Sequence, residues 1–152
     1  MGDALMMQLV PIDLADPEFL ACLATYWYEL GGRPSQEWSQ RYLARARELE
    51  GTARYTFWGV DGGRRVGFAI LRTESDWLFP EHTVGYVAEF TILRAFRRKG
   101  HGRTLWQSCA SHLRSMGCVR VEIDVLPTNG GAMLFWRKQG FALSCHHMLR
   151  SI

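Results

Sequence analysis

A mixed α+β fold, one sheet with helices on both faces, is what the sequence predicts. Three observations predict it. Strand-like and helix-like segments follow in the order β α α β β β α β α β along 152 residues. Asp61-Gly62-Gly63 stands between two β-rich runs as a hairpin turn, which makes the early strands antiparallel. A strand, an amphipathic helix and another strand then succeed one another over residues 86–125, a crossover that implies a parallel pair. One hydrophobic core suits this length, so residues 1–152 are read as a single domain.

Each element has a local reason. Residues 8–12 form a short first strand. Asp16-Pro17-Glu18 reads as a helix start: an N-cap, a proline at the first helical position and an acid in the first turn. Phe19, Leu20, Leu23, Ala24 and Trp27 recur at helical spacing, and Gly31-Gly32 ends the helix. Ser35 opens a second helix through Trp38, Tyr42, Leu43 and Leu49, which Gly51 ends. Residues 55–60 and 65–72 are rich in aromatic and β-branched side chains and read as strands; residues 75–84, with Pro80, read as a loop. A fourth strand covers 86–93 and a long helix 102–116, with Leu105, Cys109, Leu113 and Met116 on one stripe. Residues 119–125 alternate apolar and charged side chains as a fifth strand. A helix over 130–138, closed by Gly140, precedes a last strand or strand pair over 141–150.

Composition narrows the function classes. Apolar residues make up 47% and charged residues 22%, which excludes a disordered chain. No apolar run approaches the ~20 residues that span a bilayer, so no membrane partner is expected. Residues 1–8 carry Asp3 where a secretory signal would carry basic charge. Cys22, Cys109, Cys118 and Cys145 are scattered without a CxxC pair; that suits a reducing cytoplasm and argues against a metal site. The net charge of +3 is too small to argue for nucleic acid, although basic residues gather at 94–103.

The stretch with chemistry runs from Glu89 through Phe90, Thr91 and Ile92 into Arg97-Arg98-Lys99-Gly100-His101-Gly102-Arg103-Thr104. A strand enters a basic, glycine-bearing turn that opens a helix. Glycine permits positive φ and close approach to backbone N–H groups. The first helical turn has free N–H groups and a partial positive charge. Together they make an anion site whose natural ligand is a diphosphate. Neither a Walker loop nor a GxGxxG fingerprint is present.

Arg97-x-x-Gly100-x-Gly102, behind the strand 90–93 and ahead of an amphipathic helix, resembles the R/Q-x-x-G-x-G/A signature of the GNAT N-acetyltransferases. Asn129-x-x-Ala132-x-x-Phe135-Trp136, followed by Gly140-Phe141, resembles the second signature of that family. Tyr26-Trp27-Tyr28-Glu29-Leu30 and Glu89-Phe90 resemble a subgroup of predicted acetyltransferases. The resemblance implies a mostly antiparallel sheet in which the parallel fourth and fifth strands splay apart. It implies acetyl-CoA as cosubstrate, an amine acceptor and direct transfer between them; a homodimer is common in the family. The backbone of residues 98–104 would hold the pyrophosphate of coenzyme A, with Arg97 and Arg103 adding charge. Phe90 and Ile92 would pair with the pantetheine arm, and the Ile92 N–H would polarise the thioester carbonyl. Asn129 would hold the pantetheine or the strand ends, and Phe135 and Trp136 would pack along the arm.

One departure matters. Many family members place a tyrosine at the Trp136 position as the acid, and an indole cannot give up its proton usefully near neutral pH. The candidates for proton work are Glu89, Tyr86, His146 and His147, with Glu89 directed opposite to Phe90. The alternative for Glu89 is an ion pair with a neighbouring arginine. His101 is read as exposed beside the phosphates, and Glu122 and Asp124 as a carboxylate pair or a solvated face capped by Arg120. Trp77, Leu78 and Phe79 form an apolar loop flanked by Glu74, Asp76 and Glu81; it would cover a substrate cleft or a dimer contact, and its acids would favour a cationic acceptor. Two other functions stay open: an acyl-CoA-binding regulatory module without catalysis, and a nucleic-acid binder using residues 94–103. O-acetylation or a longer acyl donor also fits the motifs.

Overall fold

The computed structural model describes residues 6–152, so Asp3 and the rest of residues 1–5 lie outside the described part. The two early helices start where their caps require. Asp16 accepts the Glu18 N–H at 2.9 Å and opens α1 (Pro17–Glu29), with Pro17 in the first turn. Ser35 accepts the Trp38 N–H at 3.1 Å and opens α2 (Gln36–Leu49). The strands are β1 (Gln8–Pro11), β2 (Arg54–Asp61), β3 (Arg64–Ser75), β4 (Thr83–Ile92) and β5 (Cys118–Ile123). A 3₁₀ turn (Arg94–Phe96) links β4 to α3 (His101–Ser115), and α4 (Gly130–Lys138) follows β5.

The sheet has the order β1-β2-β3-β4-β5, antiparallel except for β4 and β5. Its two faces bury different helices. Phe19 and Leu23 of α1 and Ala46 of α2 pack on Trp58, Phe68 and Ile70. Phe19, Trp58 and Phe68 meet edge to face at 5.5–6.3 Å between centroids, and each is essentially sealed from water. Burying such a side chain contributes about 1.5–3 kcal/mol. Leu105, Cys109 and Leu113 of α3 and Trp136 of α4 pack on Val66, Ala69, Leu71 and Val87 from the other side. Burial there pushes the Cys109 thiol up to about 12, leaving it a small core residue.

Two features of β4 set up the site. In the ladder with β3, Ile70 opposes Glu89 but Leu71 opposes Val87, so Ala88 is an extra residue, a β-bulge. In the ladder with β5, the last pair is Val87 with Ile123. From the bulge onward β4 keeps β3 as a neighbour and loses β5. The expected splay is therefore real, and it begins at the bulge.

The expected last strand over 141–150 is absent. A strand needs a partner ladder, and among the described residues of this tail only the Phe141 N–H finds a backbone acceptor, the Trp136 carbonyl at 3.1 Å. Residues 142–152 are exposed. His146 and His147 therefore lie on no strand. No helix among the described residues is long and apolar enough to cross a membrane, and no cluster of three His, Cys, Asp or Glu side chains is arranged to hold a metal ion among them.

Candidate functional site

The free stretch of β4 has a defined polarity. The Leu93 N–H donates to Val66 of β3 at 2.9 Å. Alternation along an antiparallel strand turns the Phe90 and Ile92 peptide groups the other way, into the gap where β5 has departed. The Ile92 carbonyl accepts Arg97 Nε at 2.7 Å, consistent with that orientation. The Ile92 N–H is thus turned away from β3, into that gap.

The anion site lies directly downstream. Gly100 is the N-cap of α3 at φ 86° and supplies no side-chain hydrogen bond to the helix. Arg98, at φ 63°, is the single non-glycine residue with positive φ among the described residues. Such strain of about 1–3 kcal/mol persists where the surroundings require it. The first intrahelical acceptor, the Gly100 carbonyl, receives the Thr104 N–H at 3.3 Å, which leaves the N–H groups of His101, Gly102 and Arg103 pointing outward. Arg98, Lys99 and Arg103 are exposed and make no ion pair among the described residues. Gly102 sits against Phe135: a Cβ there would lie 3.1 Å from the ring edge. Phe135 is in turn stacked on Phe90 with centroids 5.8 Å apart. The loop, β4 and α4 thereby form one continuous surface.

Two cavities flank the β4 edge. The first, of ≈ 390 Å³, lies between the end of α1, the free β4 residues and the β5–α4 connection; Tyr26, Phe90, Thr91, Arg97, Leu126 and Asn129 are among its walls. The second, of ≈ 310 Å³, lies on the other side of Ala88 and is walled by Tyr42, Arg54, Arg72, Tyr86, Glu89 and Asp124. Glu89 and Tyr26 sit where the two approach each other. Burial pushes the Glu89 carboxyl above its ordinary range, opposed by hydrogen bonding from Tyr26 and Trp27 and by the charges of Arg54 and Arg72. Burial, then the Glu89 charge, pushes the Tyr26 hydroxyl well above the usual tyrosine value, while the Phe90 backbone N–H opposes that. Glu89 forms no ion pair among the described residues; Tyr26 and Trp27 hydrogen-bond to its carboxyl instead.

Several expected site residues are placed differently. Arg97 does not offer its charge to the anion loop: its guanidinium pairs with Glu29 at 2.7 Å. Trp136 belongs to the core, 5% exposed, with Phe90, Trp106, Phe135 and Phe141 around it at 4.9–5.4 Å, because α4 lays it against β4 and α3. His101 turns away from the loop's outer face toward Asp61 (3.5 Å) and the Phe96 ring. Asn129 spends its side-chain oxygen capping α4 by accepting the Ala132 N–H at 3.1 Å, and the residue lines the first cavity. Glu122 is held by Arg120 at 2.9 Å, while Asp124 stays at the second cavity. Asp76 pairs with Arg120 at 2.7 Å and accepts the Leu78 and Phe79 N–H groups, so its charge serves the loop and not an incoming cation. His146 and His147 reach neither cavity wall.

The sequence assigns no site role to Tyr26, Tyr42, Arg54 or Arg72. Tyr26 enters only within the Tyr26–Leu30 resemblance and Tyr42 only as a residue of the second helical pattern; Arg54 and Arg72 gain meaning only when β2 and β3 lie side by side.

Residues 15–141 match the Acetyltransferase (GNAT) family. The uncharacterized N-acetyltransferase YdgE of Bacillus subtilis (strain 168) is 26% identical over 103 residues, 66% of this chain; that match spans 64% of the relative's length. Solved structures share the fold. An aminoglycoside acetyltransferase from an uncultured soil metagenomic sample superposes with a TM-score of 0.72 at 15% identity, covering 97% of both chains. A ribosomal-protein-alanine N-acetyltransferase from Brucella melitensis biovar Abortus 2308 gives 0.73 at 14% identity, covering 97% of this chain and 99% of the other. A glucosamine-6-phosphate N-acetyltransferase from Arabidopsis thaliana gives 0.68 at 18% identity, covering 95% and 97%.

Proposed function

The chain belongs to the GNAT acetyltransferase family, and from that premise we propose that it transfers an acetyl group from acetyl-CoA to a primary amine by direct attack. The observation that carries the reading is the continuity of an unpaired β4 edge, free beyond Val87–Ile123, with an uncapped α3 N-terminus. That arrangement fits a ligand with a peptide-like arm and a diphosphate. The arm can pair with Phe90 and Ile92 as a strand would, and the N–H groups of residues 101–103 can receive the diphosphate, with Arg98, Lys99 and Arg103 around it. The thioester of acetyl-CoA supplies the activated acyl group.

The chain's own groups then do three things. The Ile92 N–H stabilises negative charge on the carbonyl oxygen as the nitrogen attacks. Glu89, in its raised range, accepts the proton released from that nitrogen. The Tyr26 hydroxyl, hydrogen-bonded to Glu89 and held well above the usual tyrosine value, does not ionise by itself; once Glu89 has taken the amine proton, Tyr26 passes a proton to the leaving sulfur in the same step as it receives that one from Glu89. Net, one proton passes from the amine to the thiol, and the tyrosine answers the absence of one at Trp136. The N-acetyltransferase names of YdgE and of two fold neighbours support an amine acceptor. The scattered free cysteines support a cytoplasmic location.

The test is thermal unfolding with acetyl-CoA, free CoA, ATP or duplex DNA, followed by thiol release with a broad amine panel. A ligand at ~100 times its Kd stabilises by about 2.7 kcal/mol, a rise of several degrees in Tm. Shifts with both CoA species and thiol release with an amine support the reading. No shift with either CoA species at millimolar concentration overturns it, binding without any transfer favours a regulatory module, and a salt-sensitive shift with DNA favours the nucleic-acid reading.

A further inference from the structure

The second cavity is not charge-balanced in the way its composition suggests. Arg54, Arg72, Tyr86 and Glu122 form one row across β2, β3, β4 and β5. Arg54 and Arg72 are therefore direct neighbours, and like charges opposite each other on adjacent strands repel. Arg54 is relieved: it is 5% exposed and donates to Glu50 (2.9 Å), Thr56 (2.7 Å) and Tyr42 (2.9 Å). Glu122, at the far end, is held by Arg120. Arg72 has no such relief. It is exposed, makes no ion pair among the described residues, and has its guanidinium over the Tyr86 ring at 5.3 Å. The Tyr86 hydroxyl already donates to Glu74 at 2.9 Å. Glu89 and Asp124 share the cavity wall and also lack an ion pair among the described residues.

One cavity thus holds a guanidinium and two carboxyl groups, none of them in an ion pair among the described residues. A plain amine would answer only the carboxylates, and a plain anion only the arginine. We propose, resting on the amine-acetylation reading above, that the acceptor is an amine that also bears a carboxylate, of the amino-acid type. Arg72 takes the carboxylate in its planar fork while Asp124 and Glu89 receive the ammonium end. Because the fork fixes orientation as well as affinity, the nitrogen is directed past Ala88 toward the β4 edge, where Ile92 presents its N–H. Tyr86 supports the guanidinium from beneath as an aromatic platform.

The experiment compares matched acceptors that differ in the carboxylate alone: γ-aminobutyrate against butylamine, and α-amino acids against their amides. Thiol release from acetyl-CoA is followed for the wild type, Arg72→Met and Arg72→Lys, with folding checked by melting curves. Methionine keeps a stem to lie on Tyr86 and loses the fork; lysine keeps charge without it. A hydrogen-bonded charge contributes enough for the carboxylated member to lead by at least about tenfold in kcat/KM, expressed in KM. Arg72→Met collapses that ratio to about one, and Arg72→Lys retains part of it. A wild type that prefers the carboxyl-free members, or an Arg72→Met that folds and keeps the ratio, overturns the zwitterion assignment while leaving acetyl transfer intact. Failure to bind acetyl-CoA overturns the parent reading, and this assignment with it.

Discussion

Glu29, the last residue of α1, holds Arg97 at 2.7 Å, and Arg97 in turn holds the Ile92 carbonyl at 2.7 Å through its Nε. The motif arginine is therefore a strut between α1 and the end of β4. It positions the strand on which coenzyme A would lie. The pair is partly exposed, so its direct contribution to stability is small, about 1 kcal/mol or less. Glu29→Gln should lower Tm by a few degrees at most. It should weaken acetyl-CoA several-fold, because Arg97 loses the partner that fixes its fork. Titration of acetyl-CoA by fluorescence or calorimetry checks this; unchanged affinity would return Arg97 to a purely structural role.

Glu89 and Tyr26 make a pH prediction. A base must be deprotonated, and burial raises the Glu89 carboxyl above its ordinary 4.5. The acid limb of the kcat/KM profile should therefore lie above the usual carboxylate range, with activity rising as pH increases through it. Glu89→Gln should lose about 10²–10⁴ in rate and lose that limb. Tyr26→Phe should keep the limb but lose rate, and its deficit should shrink with a thioester donor whose thiol is more acidic. A deficit independent of the leaving group would leave Tyr26 as a packing residue.

Much of this was legible in the sequence because it depends on neighbours in the chain. Asp16-Pro17 and Ser35 dictate their helices by side-chain caps two or three residues ahead. Gly100 and Gly102 announce a turn that must adopt positive φ at one position and pack against Phe135 at the other. What escaped depends on pairing. The reading of residues 141–150 as a strand or strand pair carries no information about whether an edge is available, and these residues join no ladder. Ala88 does not look like a bulge; it becomes one because the β3 ladder shifts register there, next to the point where the β5 ladder ends. Arg54 and Arg72 are eighteen positions apart in sequence and acquire their relation only through the β2–β3 register.

Asp76 yields an acid-stability prediction. The Phe79 N–H, Arg120 and the Leu78 N–H hold its carboxyl down at about 2, from an ordinary 3.8. A depressed carboxylate stabilises the fold above its unfolded value, and the stabilisation disappears as pH falls through the folded one. The Tm advantage of the wild type over Asp76→Asn should be full above about pH 4 and should fade between 3.8 and 2. Melting curves at pH 6, 3.5 and 2.5 check it. A difference that does not vary with pH would mean that geometry alone, without the charge, orders the loop that displays Trp77, Leu78 and Phe79.

Gly67 and Gly102 are opposite cases of the same substitution. At Gly67 a Cβ would collide with the Thr91 carbonyl oxygen and lie 2.9 Å from Ile92 Cδ1. The first contact is backbone, at the end of the β3–β4 ladder where Gly67 pairs with Ile92, and it cannot move without shifting the free strand edge. Gly67→Ala should therefore cost about 1–3 kcal/mol as an overpacked site and impair acetyl-CoA binding beyond its effect on Tm. At Gly102 the nearest atom is the Phe135 ring edge at 3.1 Å, which can swing by a few tenths of an ångström. Alanine also gains about 1 kcal/mol of helix propensity over glycine. Gly102→Ala should then be near neutral in Tm and retain acetyl-CoA binding, whereas Gly102→Leu, driven into Phe135, should lose it. Equal tolerance at both positions would show that the β4 edge is not fixed by its backing strand, and the strand-pairing account of cofactor binding would have to be abandoned.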